Sequence, residues 1–489
     1  ILLPPTPMGS RTASILPEPI PDIQDSGPTW RIELDFPTAY YSGEEVNALL
    51  QSRLSTYETV WQVEAVSEGA ILRAVIESSG SLDQLRGIIF YDLASEINFL
   101  GGTTQIVISG DIQAGTDLNI LFESNPSTGY LWQVNGLDAQ LIQQMGKSEL
   151  VMRSGQIGSP QTQIMNFSGI QNGYATLVFN YRRPWEADAS PSRRIYIENI
   201  GLAGSVDLTD PISALATFAA PSAYGPAIGE TSSAPLEASP NLPAAFDWRD
   251  QVTLPAVRNQ GTCGSCWAFA TVGTMEVAMV VQGEPIVDLS EQYLISCNQS
   301  GWSCNGGWRA HDYHSWKVGK NQNQAGAVLE TDFPYSGTNG TCTTAYNHPY
   351  KISDWAYVRG LTVPPADEIK QAIYTYGAVT ASICMGPELL AYRGGVFSTD
   401  ESSVCGSYIS NHAIVLVGWN DAEDTWIMRN SWGSWWGEGG YIRIKRDVSN
   451  IGYAPTYVVY KNPIPSPVTP SGSTTQATPT FKWGSVDDG

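Results

Sequence analysis

The chain has 489 residues, 42% of them hydrophobic and 15% charged, with a formal net charge of -22. This length allows about two to four domains, each able to bury its own core. The acidic balance excludes a nucleic-acid binder, because a polyanion is repelled and no basic stripe offsets the repulsion. No run approaches the ~18 apolar residues that cross a bilayer, so no membrane span is expected. The opening, Ile1-Leu2-Leu3-Pro4-Pro5, has no charged leader, and the expectation is that a secretion signal has been removed or lies outside this sequence.

Residues 1–29 are rich in Pro and Ser and read as an unstructured lead. Trp30 to Phe36 alternates as a half-buried strand does. Ser42 followed by Glu45 reads as a capping box, opening a helix with Val46, Leu49, Leu50 and Leu54 on one face. Strand patterns follow at 59–66 and 70–77, then a helix at 81–95, so 30–100 is expected to form a small α+β unit. From 101 to 203 the pattern changes to short strands, such as Ala175 to Tyr181. Turn signals separate them at Asn125-Pro126, Asn135-Gly136, Ser159-Pro160 and Asn172-Gly173, the pattern of a β-sandwich. Residues 204–243, rich in Ala, Pro, Ser and Gly, read as a linker. A large mixed segment spans 244–462, and a Pro/Ser/Thr-rich tail follows at 463–489.

All seven cysteines (263, 266, 297, 304, 342, 384 and 405) lie in the second half, and the odd count leaves one thiol over. Cys266 stands at the start of a long apolar helical run that ends near Gly283. A helix N-terminus stabilises a thiolate, the nucleophilic form of cysteine. Such a thiol needs a base, and the chain has only four histidines: 311, 314, 348 and 412. His412 opens a strand-like run, and Asn430 ends another. An Asn amide can accept an imidazole N–H and hold the ring. Taken alone, Cys263-x-x-Cys266 is more often a redox or zinc motif than a protease site. Cys297-x6-Cys304 is poor zinc spacing, and no metal site is expected. His311 and His314 read as helix-surface residues and His348 as structural. Asn166, Asn298 and Asn339 open glycosylation sequons.

Gln260-Gly-Thr-Cys-Gly-Ser-Cys266-Trp-Ala-Phe269 resembles the nucleophile motif of the papain family of cysteine peptidases. Ser410-Asn411-His412-Ala413 is similar to that family's histidine motif. The run Arg429-Asn430-Ser431-Trp432-Gly433 through Trp436 to Tyr441 resembles its asparagine motif. Ser303 to Gly307 and Tyr392 to Val396 also match, so the resemblance covers 244–462. It implies an α+β, two-lobed peptidase domain without a cofactor. Cys266 is the implied nucleophile, His412 its acid and base, and Asn430 the residue that orients His412. Trp432 would shield that hydrogen bond. The Gln260 side chain and the Cys266 backbone N–H would form the oxyanion hole. Gly306 and Gly307 would let an extended substrate approach, and Trp308, Arg309, Ser382 and Ser410 would line the main specificity pocket. Arg309 is unusual there and is expected to favour an acidic or polar side chain. The resemblance further implies disulfides Cys263–Cys304 and Cys297–Cys342, which leaves Cys384 to pair with Cys405. No cleft-blocking insertion is visible, so an endopeptidase is preferred over an exopeptidase.

The sandwich carries Asn125-Pro126-Ser127-Thr128-Gly129-Tyr130, Gly158-Ser159-Pro160 and Tyr181-Arg182-Arg183-Pro184-Trp185-Glu186. These resemble the three inhibitory loops of chagasin-type cysteine-protease inhibitors, which have an immunoglobulin-like fold. Gln161 departs from the pattern, standing where Gly is common. The helical prosegment usual in papain-like precursors is not found. The resemblance implies that Asn125 to Gly129 enters the cleft near Cys266 and His412, and that Trp185 packs near Trp432 or Trp436.

The expectation is therefore a multidomain, secreted or cell-surface/periplasmic precursor. Its own chagasin-like domain holds the peptidase latent, and a maturation site lies in the linker. Its partners are peptide and protein substrates and that intramolecular inhibitor. Two alternatives stay open: an inhibitor or binding protein with a peptidase-like scaffold, and a thiol–disulfide oxidoreductase using Cys263 and Cys266.

Overall fold

The structure, a computed structural model, describes residues 30–37, 42–54, 60–65, 71–78, 104–186, 193–209 and 242–460. The expected lead, the helix at 81–95, most of the linker and the tail lie outside the described residues.

Strand β1 (Trp30–Pro37) is followed by helix α1 (Gly43–Leu54) and strands β2 (Val60–Ala65) and β3 (Ile71–Ser78). The Ser42 N–H donates to Glu45 Oε2 at 2.7 Å, and the Glu45 N–H donates to Ser42 Oγ at 3.2 Å. This reciprocal pair satisfies two N–H groups that the helix cannot. Val46, Leu50 and Leu54 form the buried stripe of α1.

Nine strands follow: β4 (Thr104–Ile112), β5 (Asp117–Ser124), β6 (Leu131–Leu137), β7 (Ile142–Gln144), β8 (Glu149–Met152), β9 (Gln161–Gly169), β10 (Gly173–Arg182), β11 (Arg193–Gly201) and β12 (Gly204–Leu208). One sheet has the order β2-β3-β1-β11-β4-β10-β6 and the other β12-β5-β9-β7, with β8 also on β9. Phe122 lies between them, 4.6 Å from Trp132 and 5.0 Å from Phe179 between ring centroids.

Three features of this half differ from the sequence reading. The segment expected as a separate α+β unit continues the sandwich. β1 pairs antiparallel with β11, Ile32 opposite Ile195, and Trp30, Ile32, Val46 and Leu50 share one core with Ile106, Phe122 and Phe179. The alternation in β1 buries Trp30, Ile32, Leu34 and Phe36, and that face needs a second layer. The first residues of the expected linker form β12, parallel to β5, with Val206 and Leu208 buried. Asn135-Gly136 is a bulge within β6 rather than a turn. Val178 faces Gly136 and Phe179 faces Val134, so Asn135 is the extra residue.

The second half begins with β13 (Ala245–Asp247) and continues with α2 (Cys266–Val281), α3 (Glu291–Cys297) and α4 (His311–Ser315). After β14 (Asp354–Tyr357), α5 (Ala366–Tyr376) and β15 (Val379–Ile383) come β16 (Val396–Phe397), β17 (His412–Asn420), β18 (Thr425–Arg429), β19 (Tyr441–Lys445) and β20 (Tyr453–Val459). The sheet order is β14-β20-β15-β17-β18-β19-β16, with β13 on β17. Residues 266 to 279 of α2 are all buried, as expected of a helix apolar on every face. β17 divides two cores by its twofold alternation. Ala413, Val415 and Val417 face the core built around α2, and Ile414 and Leu416 face the core around Trp419, Trp426 and Met428. His412, at the start of this strand, lies where the two lobes part. Disulfides join Cys263–Cys304, Cys297–Cys342 and Cys384–Cys405, closing loops of 41, 45 and 21 residues. Loops of this length each restrict the unfolded chain by about 3–4 kcal/mol in the chain-entropy account.

His311 and His314 are not on a helix surface. Short α4 is wedged against β14, and both imidazoles are fully buried. Burial holds His314 down to about 3 and His311 well below the ordinary range, so both are neutral. His311 packs 5.4 Å from Trp355 and bonds Thr456 Oγ1 through Nε2 at 3.1 Å. Here the rings behave as aromatic core. His348 bonds the Gly326 carbonyl through Nδ1 at 2.8 Å. The sequon residue Asn298 donates to the Leu294, Ile295 and Trp302 carbonyls. Among the described residues no group of three or more His, Cys, Asp or Glu could hold a metal, and no helix is long and apolar enough to cross a membrane.

Candidate active site

Cys266 is the first residue of α2 and the free thiol left by the three disulfides. The preceding turn is fixed by the Cys263–Cys304 bridge and by the Gly264 N–H, which donates to the Cys304 carbonyl at 2.8 Å. His412 Nε2 lies 2.8 Å from Asn430 Oδ1, so this nitrogen donates and Nδ1 is left as the acceptor. Nδ1 is buried and makes no hydrogen bond. The Trp432 ring covers the pair, 5.2 Å from the imidazole. Gln260 is clamped at both ends of its amide: Nε2 donates to the Cys263 carbonyl at 2.9 Å, and Oε1 accepts from Ser431 Oγ at 2.7 Å. The four residues that the resemblance singled out for chemistry thus converge from the α2 turn, β17 and the end of β18.

Their surroundings are dry. Burial pushes the Cys266 thiol up to about 11, against smaller opposing contributions from the Ala413 backbone, the Ser127 side chain and the Trp267 backbone. Burial likewise holds His412 down to about 4, against the lift from Asn430. Both groups are neutral in this arrangement, although the start of a helix and a facing imidazole would favour the ion pair in a wet cleft.

Loops of the β-sandwich exclude the water. Trp432 Nε1 donates to the Ser127 carbonyl at 2.9 Å. Trp185 stacks on Trp432, with centroids 5.1 Å apart and planes 21° apart, and meets Trp436 edge-on at 6.5 Å. Arg183 is 1% exposed and binds both halves. Nε donates to the Thr128 carbonyl at 2.9 Å, Nη1 to Asn259 Oδ1 at 3.0 Å and Nη2 to the Gly261 carbonyl at 3.1 Å. The Pro184 carbonyl accepts from Arg393 Nη2 at 2.9 Å. Thr128 acts inside its loop, donating to the Asn125 carbonyl at 2.6 Å, and Pro126 and Gly129 complete the turn. The Lys147–Glu388 pair is exposed, and such pairs contribute ~0–1 kcal/mol.

The central loop lies along the cleft in extended form. Ile157 and Gly307 exchange both backbone hydrogen bonds, at 3.1 and 2.9 Å, beside Gly306, and the Gly158 N–H donates to the Asn411 carbonyl at 3.0 Å. At Gly158 the chain turns away with φ +87°, and the Ser159 N–H returns to the Gln156 carbonyl at 3.2 Å. The Gly158 carbonyl accepts from Asn125 Nδ2 at 2.7 Å, and Asn125 Oδ1 accepts from Ser127 Oγ at 2.6 Å. The sequence reading missed Ile157, the bond from Gly158 to the Asn411 carbonyl and the Asn125–Gly158 bond. An Ile at the tip of a Ser/Gly/Gln-rich loop was the available signal. Trp308, Arg309, Ser382 and Ser410, named from the sequence for one pocket, are all buried, and Arg309 donates to Ser382 Oγ at 2.8 Å.

The papain family cysteine protease model matches residues 242–461, and the chagasin family peptidase inhibitor model matches 111–198. Macrodontain-1 of Ananas macrodontes is 37% identical over 43% of this chain and 92% of its own length. Zingipain-2 of Zingiber officinale is 35% identical over 43% and 90%. Cysteine proteinase COT44 of Brassica napus is 39% identical over 43% of this chain but only 61% of its own length. The bromelain protease from Ananas comosus in complex with the E64 inhibitor aligns over 45% of this chain and 100% of its own, with 27% identity and a TM-score of 0.37. The second half is thus a papain-like thiol peptidase domain, preceded by a chagasin-like domain. The chain belongs to the papain family of cysteine proteases and is a papain-like cysteine endopeptidase.

Proposed function

We propose that the chain is a secreted zymogen that hydrolyses peptide bonds through Cys266, His412 and Asn430 and is held latent by its own chagasin-like domain. In the released cleft the Cys266 thiolate attacks the scissile carbonyl carbon. The oxygen takes the negative charge between Gln260 Nε2 and the Cys266 N–H, and one such donor lowers the barrier by about 3–4 kcal/mol. The C–N bond breaks as the amine leaves with the proton from His412, giving a thioester. His412 then takes a proton from water, the hydroxide displaces the thiolate, and the acid leaves. Asn430 holds the imidazole with Nδ1 toward the sulfur throughout. Three disulfides suit an oxidising extracellular or periplasmic setting. The oxidoreductase alternative loses its second thiol, since Cys263 is bonded to Cys304.

The observation that carries the latency reading is the course of Ile157-Gly158. It follows a substrate-like path up to the nucleophile and then turns away, its carbonyl held by Asn125. The loop fills the cleft without offering that carbonyl to the oxyanion donors. Docking also discharges the thiol–imidazole pair, so occupancy and dehydration act together. The test is the rate of peptide hydrolysis by the uncut chain, by the chain cut within 210–241 and diluted, and by Trp185→Ala. The reading requires the first to be inactive and the other two active. Activity in the uncut chain equal to that of the cut chain would overturn it, and latency that fades on diluting the uncut chain would move the docking from within one chain to between two.

A further inference from the structure

The pocket beside the nucleophile contains a buried cation with no counter-charge. Arg309 is 2% exposed. Nε donates to the Ala454 carbonyl at 3.3 Å. Nη2 donates to Ser382 Oγ at 2.8 Å and to the Ala454 and Tyr453 carbonyls at 2.9 and 3.3 Å. Nη1 is buried and has no partner. The guanidinium lies over the Trp308 ring at 5.0 Å. It pairs with no carboxylate among the described residues, and the charges that act on it are Tyr357, Cys266 and Tyr453. Burial lowers it to about 10, so it stays protonated at neutral pH. Ser410 Oγ, next to Asn411, is also buried without a partner. An unpaired buried charge is costly and rarely persists without a role.

Ile157 marks the substrate position nearest in register to this part of the cleft. Its side chain is fully buried in one cluster with Trp308, Ala413, Tyr453 and Ala454. The last two residues supply the carbonyls that hold Arg309. The Ile157 backbone is paired with Gly307, and the next residue, Gly158, lies beside Cys266. Ile157 therefore stands in the register of the substrate residue that precedes the one whose carbonyl is cut. An isoleucine fills the apolar part of this pocket and ends in a methyl group. A glutamate has the same reach from its Cα to its carboxyl carbon, and its oxygens extend one bond further, whereas an aspartate is one bond shorter.

We propose that Arg309 makes this a carboxylate-selecting pocket, so that the released enzyme prefers peptides with glutamate immediately before the residue at the cleaved bond. The inference rests on the peptidase reading above and names its substrate class. One charge-assisted hydrogen bond in a dry site discriminates by roughly 10- to 100-fold. Selection takes the form of a satisfied donor against an orphaned one, the kind of discrimination that polar pockets perform well. Ile157 then serves as an occupant that cannot be mistaken for the preferred substrate, leaving Nη1 unpaired in the latent state.

The experiment uses the full chain, cut within 210–241 and diluted, with two fluorogenic peptides that differ only in Glu or Leu at this position. The expected kcat/KM ratio is at least tenfold in favour of Glu, and Arg309→Met should lower that ratio at least tenfold. A leucine preference in the unaltered enzyme, or a ratio that Arg309→Met leaves within twofold, would overturn the assignment while leaving the peptidase intact. Failure to cleave either peptide or denatured casein would instead overturn the peptidase reading, and the assignment with it. A second arm needs no released enzyme: Ile157→Glu in the uncut chain should remain latent, because the new carboxylate meets Arg309, and adding Arg309→Met should release activity at least tenfold. Full activity of Ile157→Glu alone would contradict the pocket proposed.

Discussion

A single methyl group at Gly158 should open the cleft. The Cβ of an alanine there would lie 2.3 Å from the Gly264 carbonyl oxygen, 3.0 Å from its carbon and 3.2 Å from Cys266 Sγ. None of these neighbours can swing aside. Gly264 is backbone, its N–H tied to the Cys304 carbonyl, and Cys266 begins a buried helix. The residue also has φ +87°, which costs an L-residue about 1–2 kcal/mol. Overpacking against fixed groups adds about 1–3 kcal/mol. Together, about 2–5 kcal/mol weakens docking by about 30- to 4,000-fold, at tenfold per 1.4 kcal/mol. A tethered domain of micromolar affinity at ~mM effective concentration leaves about one molecule in a thousand open. On that basis Gly158→Ala raises the open fraction to a few per cent at least and to most of the population at most. The assay is the initial rate of hydrolysis of a short fluorogenic peptide by the uncut chain, with active centres titrated after separation of the halves. If the variant folds, titrates fully once released and yet remains as latent as the wild type within twofold, the substrate-like seating of this loop is wrong.

Cys266→Ala should abolish amide hydrolysis and leave the fold intact, since the residue lies outside all three bridges; residual peptidase activity in the purified variant would refute its role as nucleophile. With the thiol raised to about 11 by burial and fully buried in the docked state, alkylation of the uncut chain at pH 7 should run at least about 100-fold slower than that of an ordinary thiol. Docking raises the thiol, so the docked state is favoured while the thiol stays protonated, and this contribution is lost as pH rises through 11. Latency that tightens over that range would contradict the assignment. Asn125→Ala frees the Gly158 carbonyl to reach the oxyanion donors and should produce slow self-cleavage between Gly158 and Ser159, read by a new N-terminus at Ser159. An uncut loop after prolonged incubation of a chain that stays docked would show that Asn125 is not what protects it.

The parts of the site that could be read from the sequence lie in short contiguous runs. Gln260 to Phe269, Ser410 to Ala413 and Arg429 to Tyr441 each carry their own turn and element signals. The capping box at Ser42 is equally local, because its two partners are three residues apart. What escaped was set by distant pairing. The junction of β1 with β11 joins segments about 165 residues apart, and nothing in either alternation names its partner. The burial of His311 and His314 depends on a layer supplied by β14 and β20, and a five-residue helix is too short to show a periodic face. Asn135-Gly136 has turn chemistry, but its strand is held on both sides of that pair by β10, so the sheet absorbs the extra residue. Asn125 and Gly158 belong to separate loops, and only the sandwich brings them together.

Among the described residues, the core of the sandwich takes all of its members from between Trp30 and Leu208 and none from the peptidase. Severing the connection between the two halves therefore leaves the inhibitor a folded protein in its own right. The cut changes only the statistics of encounter: a partner held at ~mM effective concentration becomes one present at the bulk concentration of the enzyme itself. Activation is then a dilution, and its extent follows mass action between two products formed in equal amounts. If the chain is the secreted zymogen proposed above, the processed pair would stay closed in a crowded secretory compartment. Released into a large volume, or met by a second protease that digests the sandwich, the same pair comes apart, and the timing of activity passes from the cleavage event to the surroundings.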